Sequence, residues 1–120
     1  MSGFSFVADT NFLINVHEGK ETVEPFLDGT VIVSVISEIE LLGWQNLTEN
    51  DKNRLSSLIS DCIVFDLTSE IKKIAIEIRQ KMKIRTPDAI IAATSQYLQI
   101  PLVTSDKGFK NVPGIELLLI

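Results

Sequence analysis

The sequence predicts an α/β fold of three layers, with helices on both sides of a central, mostly parallel sheet of about five short strands. Two observations predict it. Short apolar runs alternate along the chain with longer stretches of helical periodicity. The apolar runs are also nearly continuous rather than alternating, as strands buried on both faces require. At 120 residues and 13.4 kDa the chain reads as one domain over residues 1–120, with no internal repeat, linker or low-complexity segment. Its hydrophobic fraction of 45% is enough for an ordinary globular core.

Phe4 to Ala8 is the first strand. Residues 10–18 follow as a helix, with Asp9 or Thr10 as its cap. Val31 to Val33 forms the second strand. The helix after it carries Val35, Ile36, Ile39, Leu42 and Gly43 on one face, at spacings of three and four. Thr48 opens another helix through Leu55, Leu58 and Ile59, with Asp51 in a capping-box position. Cys62 to Phe65 is the third strand. Ser69 to Met82 is a helix that turns Ile71, Ile74, Ala75 and Ile78 inward. Thr86 as cap and Pro87 at the first position start a helix that Ala89 to Leu98 continues, since the first turn needs no proline N–H. Leu102 to Thr104 and Ile115 to Leu119 are the last strands, with a short turn or helix over residues 107–111 between them.

The formal charge of −5 argues against general electrostatic adhesion to nucleic acid, which favours a basic footprint. It leaves room for a nucleic-acid substrate if bound cations reverse the sign locally. Cys62 is the only cysteine, so no intrachain disulfide forms, and in the run CIVF it reads as a small buried hydrophobe. A nucleophilic role would need a base, and His17 is the only histidine. The N-terminus lacks the basic and long apolar regions of a signal peptide, and no apolar run is long enough to span a membrane. The expected setting is cytoplasmic.

Four acids stand where strand or helix ends present them. Asp9 closes FSFVAD, Asp88 heads the TPDAIIAATSQYL helix, and Asp106 follows IPLVTSD. Between Glu38 and Glu40, both beside the apolar face of their helix, periodicity does not choose. Ligands of parallel α/β sheets bind beyond the carboxyl ends of the strands, and these acids can share that edge. Clustered carboxylates repel unless a cation compensates them or some become protonated, which points to a divalent metal and hydrolysis. Each acid also has a plainer reading: Asp9 as a helix cap, Asp88 as a first-turn partner of the helix dipole, Asp106 as a turn residue.

Over nearly its whole length the chain resembles a PIN domain, a small metal-dependent nuclease fold. FVADTNFLI is similar to the opening strand and Asp-Thr-Asn/Ser turn of that family. SVISEIELLGW is similar to its second block, and this alignment selects Glu40 over Glu38. TPDAIIAATSQYLQIPLVTSDKGF is similar to the third and fourth blocks. The compact size is similar to that of the VapC-like toxins of prokaryotic toxin–antitoxin pairs. The resemblance implies a PIN-like fold in which Asp9, Glu40, Asp88 and Asp106 form the acidic, metal-binding and catalytic centre. It also implies that Asn11 and Thr104 support that centre. Gly108 departs from the pattern, since relatives often carry a further acid there.

The expected activity is that of a ribonuclease. Carboxylate-bound Mg²⁺ or Mn²⁺ activates a water that hydrolyses a phosphodiester in RNA. Arg85 and Lys107 flank the site in sequence and could hold substrate phosphates. The resemblance adds a partner: an antitoxin segment that covers the acidic groove, with a homodimer also possible. Trp44 could serve such an interface, although core packing is the reading preferred for it. The rivals are a phosphorelay receiver, with Asp66 ending the third strand, and an inactive PIN-like binding module. A receiver leaves Glu40 and Asp88 unexplained.

Overall fold

The structure, a computed structural model, describes residues 3–120. Met1 and Ser2, part of the expected domain, lie outside the described residues. Five strands, β1 (Ser5–Ala8), β2 (Thr30–Ser34), β3 (Ile63–Phe65), β4 (Leu102–Thr104) and β5 (Leu117–Leu119), form one sheet in the order β3-β2-β1-β4-β5. Every pairing is parallel. The five helices are α1 (Thr10–His17), α2 (Val35–Leu42), α3 (Glu49–Ser60), α4 (Ser69–Lys81) and α5 (Thr86–Leu98). Two 3₁₀ segments, Glu21–Phe26 and Lys107–Phe109, complete the order.

Parallel pairing with alternating side chains makes two half-cores. Val7 and Leu102 face one way, onto Ile71, Ala75, Ile78 and the buried run Ala89 to Ala93. Phe6, Ala8 and Val103 face the other way, onto Phe12, Leu13, Leu41, Leu55 and Ile59. The near-continuous Ala/Ile run of α5 follows from its position between the sheet and α4, where small side chains permit close approach. No helix among the described residues is long and apolar enough to cross a membrane.

Two expectations change, and one element stands where none was expected. The α2 stripe is rotated: Ser37 and Leu41 are its buried residues, whereas Ile39 is 60% exposed. A polar side chain takes the inward place because Ser37 Oγ lies 3.0 Å from Thr10 Oγ1 of α1. Helix α5 starts one residue early. Arg85 holds the capping position in extended conformation, and Ala89 N donates to Arg85 O at 2.9 Å. Thr86 and Pro87 then both sit in the first turn, where backbone N–H groups have no helical partner. The segment Glu21–Phe26 is helical despite Pro25; its Phe26 ring joins an aromatic cluster and meets Phe6 edge-on at 5.7 Å.

Candidate active site

Strand order reverses at β1, whose neighbours β2 and β4 carry the chain outward in opposite directions. The carboxyl end of such a switch point is open, since the two connections leave on opposite faces. Asp9 follows β1 there. In the β1–β4 register Ala8 stands beside Val103, so the next residues, Asp9 and Thr104, are neighbours. Asp106 lies just beyond β4, Asp88 in the first turn of α5, and Glu40 near the end of α2. Asp9, Glu40, Asp88 and Asp106 all line one cleft of about 190 Å³, with Thr10, Asn11, Ile14, Trp44 and Arg85.

Asp9 is only 2% exposed. Its Oδ1 accepts from Phe12 N at 2.9 Å, which caps α1, and its Oδ2 accepts from Thr104 Oγ1 at 2.6 Å. Burial pushes its pKa up to about 6. The Thr104 and Phe12 hydrogen bonds oppose that rise, and the charges of Asp106 and Asp88 add to it. The plain capping role is therefore real but incomplete, because a capping carboxylate alone need not be buried beside two other acids.

Burial also raises the pKa of Asp88. The nearby Arg85 charge lowers it, and Asp106 and Glu40 raise it again. Arg85 Nε stands 3.5 Å from Asp88 Oδ2, but the arginine is largely exposed and solvent weakens the pair. Asp106 Oδ1 accepts from Gly108 N at 2.7 Å, and Asp106 N donates to Thr104 Oγ1 at 2.9 Å. Gly108 fits this turn closely: a Cβ there would meet Asp106 Oδ1 at 3.0 Å.

Glu40 is held by a residue that sequence reasoning missed. Thr10 Oγ1 donates to Glu40 Oε1 at 2.7 Å. Asn11, the expected supporting residue, is exposed on the cleft wall instead. A polar residue in a capping segment was the only available signal for Thr10, and it does not name a partner thirty residues away. Glu38 lines a separate groove with Leu42, Ser56 and Val64. Lys107 is exposed and does not line the cleft, whereas Arg85 does. Trp44 is not in the core: it follows the last turn of α2, lines the cleft and is 42% exposed. Asp66, the acid a receiver would need, is exposed after edge strand β3, with β2 between it and β1.

An all-oxygen donor set of carboxylates suits hard divalent cations such as Mg²⁺. Among the described residues no three acidic, histidine or cysteine side chains stand together as a ready-made metal cage. A site of one or two carboxylates completed by waters is the arrangement Mg²⁺ commonly accepts. The donor chemistry therefore fits such an ion, with buried Asp9 the group that gains most from a compensating charge.

The family model described as PIN domain matches residues 6–115. Among curated proteins no sequence matches significantly. Solved structures match closely in shape. A chain of VapBC2 from Rickettsia felis, crystallised with a DNA fragment from its promoter, is similar at a TM-score of 0.86 and 20% identity, covering 98% of this chain and 99% of that one. A chain of DNA-bound VapBC from Salmonella typhimurium is similar at 0.83 and 22% identity, covering 96% and 97%. A chain of a toxin–antitoxin complex from Klebsiella pneumoniae is similar at 0.78 and 27% identity, covering 92% and 94%.

Proposed function

The chain belongs to the PIN domain family, and from that premise we propose that it is a metal-dependent ribonuclease, the toxin of a toxin–antitoxin pair. The observation that carries the reading is the convergence of Asp9, Glu40, Asp88 and Asp106, from four separate elements, on one cleft at the switch point of the sheet.

Asp9 and Asp88 would hold a Mg²⁺ or Mn²⁺ ion, with Glu40 and Asp106 binding directly or through waters. When bound, the ion supplies Lewis-acid polarisation and an acidified water for phosphodiester hydrolysis. The chain's own residues prepare the geometry. Thr104 fixes Asp9 Oδ2 and Thr10 fixes Glu40 Oε1, so neither carboxylate must be ordered when substrate arrives. The other oxygen of Glu40 is free of that bond and can accept a proton from an attacking water. Arg85, exposed on the cleft, can turn from Asp88 to a substrate phosphate.

The toxin role draws on the similar structures: that from Klebsiella pneumoniae is a toxin–antitoxin complex, and one from Mycobacterium tuberculosis is a member of the VapBC family of toxin–antitoxin systems. An antitoxin segment offering arginine to the acidic cleft would neutralise it by the same charge compensation that a metal provides. A homodimer and a cytoplasmic setting accompany this reading.

The test is cleavage of an RNA panel with and without Mg²⁺ or Mn²⁺. Metal-dependent products that vanish in Asp9→Asn are expected; full activity in Asp9→Asn would overturn the assignment. If Mn²⁺ produces no binding heat in calorimetry and no RNA is cut, the chain is an inactive PIN-like binding module.

A further inference from the structure

Six polar or charged side chains are buried among the described residues: Asp9, Ser34, Ser37, Thr94, Ser95 and Thr104. Five have an evident use. Asp9 and Thr104 build the cleft. Ser34 Oγ accepts from Ile36 N at 3.1 Å and caps α2. Thr94 and Ser95 donate to backbone carbonyls, of Ile90 at 2.8 Å and of Ile100 at 2.6 Å. Ser37 is the one left over. It is fully buried within α2, and its partner is another hydroxyl, Thr10 Oγ1 of α1, at 3.0 Å. A buried serine costs free energy unless its hydroxyl is bonded, and alanine is the better helix former at such a place.

Hydrogen counting fixes the direction of that bond. A threonine hydroxyl has one hydrogen and two lone pairs. Thr10 Oγ1 stands 2.7 Å from Glu40 Oε1 and 3.0 Å from Ser37 Oγ, and its one hydrogen cannot serve both well. An ionised carboxylate has no hydrogen to give and makes the shorter, stronger bond. Thr10 therefore donates to Glu40, and the bond between the two hydroxyls uses the hydrogen of Ser37. Ser37 and Glu40 lie about one turn apart on the same face of α2, so the Thr10 hydroxyl fits between them. The chain Ser37 to Thr10 to Glu40 thus runs from the core to the cleft wall. Each donor in such a chain polarises the next, which strengthens the bond to Glu40. The Ser37 bond also holds the Thr10 hydroxyl toward Glu40 before ion or substrate binds.

We propose that Ser37 is a positioning residue of the acidic cleft, acting through Thr10 to hold Glu40 in its metal-binding orientation. The inference rests on the ribonuclease reading, whose Glu40 it concerns. It adds to that site a residue that carries no charge and does not line the cleft.

The experiment is a double-mutant cycle read by Mn²⁺ calorimetry, by urea unfolding and, separately, by RNA cleavage. Ser37→Ala should weaken Mn²⁺ binding roughly 2- to 12-fold, the worth of one neutral hydrogen bond. Ser37→Cys nearly keeps the side chain's shape but donates only weakly, so it should lose as much, which assigns the effect to the hydrogen rather than to a void. In Thr10→Val the chain is already broken, and there Ser37→Ala should cost no further Mn²⁺ affinity. It should instead stabilise that protein or leave it unchanged, because the buried serine has lost its partner. A Ser37→Ala protein that loses stability but keeps its Mn²⁺ affinity would show a merely structural serine and overturn the proposal. So would the same loss of affinity with Thr10 intact and with Thr10→Val, since Ser37 would then act by another route. RNA cleavage alongside either of those results rejects only the positioning role. Coupled loss of Mn²⁺ affinity with no RNA cut under any metal rejects only the ribonuclease. A wild type that binds no Mn²⁺ overturns both.

Discussion

Thr104 Oγ1 donates to Asp9 Oδ2 at 2.6 Å while it accepts the Asp106 N–H at 2.9 Å. One fully buried hydroxyl therefore ties the end of β1 to the turn beyond β4, and both ends of the tie are acids of the cleft. Thr104→Val keeps the shape and removes the hydroxyl. Asp9 then loses a donor inside the protein, and the Asp106 N–H loses its acceptor. The expected loss of stability is about 1–3 kcal/mol, measured by urea unfolding at pH 7. Thr104→Ser should recover most of it. Equal stability of the valine variant and the wild type would show that the hydroxyl does not hold these strands together.

The pKa of Asp9 makes stability depend on pH in a defined direction. Folding raises it from 3.8 to about 6, chiefly through burial, so the folded state holds the proton more tightly than the unfolded chain. Between these values the unfolded chain binds fewer protons, and stability falls as pH rises. The contribution is fully present below 3.8 and lost above about 6. A shift of this size corresponds to roughly 3 kcal/mol. Asp88, also raised, acts in the same sense. Metal-free wild type should therefore lose stability relative to Asp9→Asn as pH increases across this window, and Mn²⁺ at pH 7 should restore it to wild type alone. A constant difference between the two proteins from pH 4 to pH 7 would contradict the burial argument.

Cys62 should be chemically quiet. Burial first, then the Asp61 charge, pushes its thiol up to about 11, and its Sγ lies 3.4 Å from Leu58 O. Against an ordinary thiol this leaves about a hundredfold less thiolate at neutral pH. A disulfide reagent should therefore label the folded protein about a hundredfold more slowly than the urea-unfolded chain. Cys62→Ala should leave RNA cleavage unchanged. Labelling as fast in the folded state as in urea would show that the thiol is neither desolvated nor shielded.

Where the sequence was legible, the decisive signals were local. Strand β4 is bounded by Pro101 and the Ser105-Asp106 turn, and its three residues are all buried, so a short apolar run between breakers located it fully. Asp9 and Asp106 could be placed at one sheet edge because parallel strands all end on the same side. Helix α2 was harder. Its apolar pattern favoured Ile39, but the helix is rotated to bring Ser37 and Glu40 to Thr10, and no hydropathy pattern records a contact between two hydroxyls on different helices. The same rotation explains why Glu38 and Glu40 could not be told apart from spacing. Trp44 departs from the core reading for a related reason: a tryptophan two residues past a helix end can turn to either side, and only the packed structure shows it on the cleft.

That rotation yields a prediction with an internal control. Glu40 lines the cleft and receives the Thr10 hydroxyl, whereas Glu38, two residues away on the same helix, faces a different groove. Glu40→Gln should weaken Mn²⁺ binding and slow RNA cleavage, and Glu38→Gln should change neither. Thr10→Val leaves both carboxylates in place but frees Glu40 to turn. Losses from removing such orienting partners are typically 10- to 100-fold in metal affinity or activity. Thr10→Ser, which keeps the donor, should restore the wild-type value. Calorimetry with Mn²⁺ and initial cleavage rates separate the cases. If Glu38→Gln is as damaging as Glu40→Gln, the two acids act through the charge of α2 as a whole, and the Thr10 contact is structural. If only Glu40→Gln and Thr10→Val are impaired and serine rescues, the hydroxyl acts by orienting Glu40.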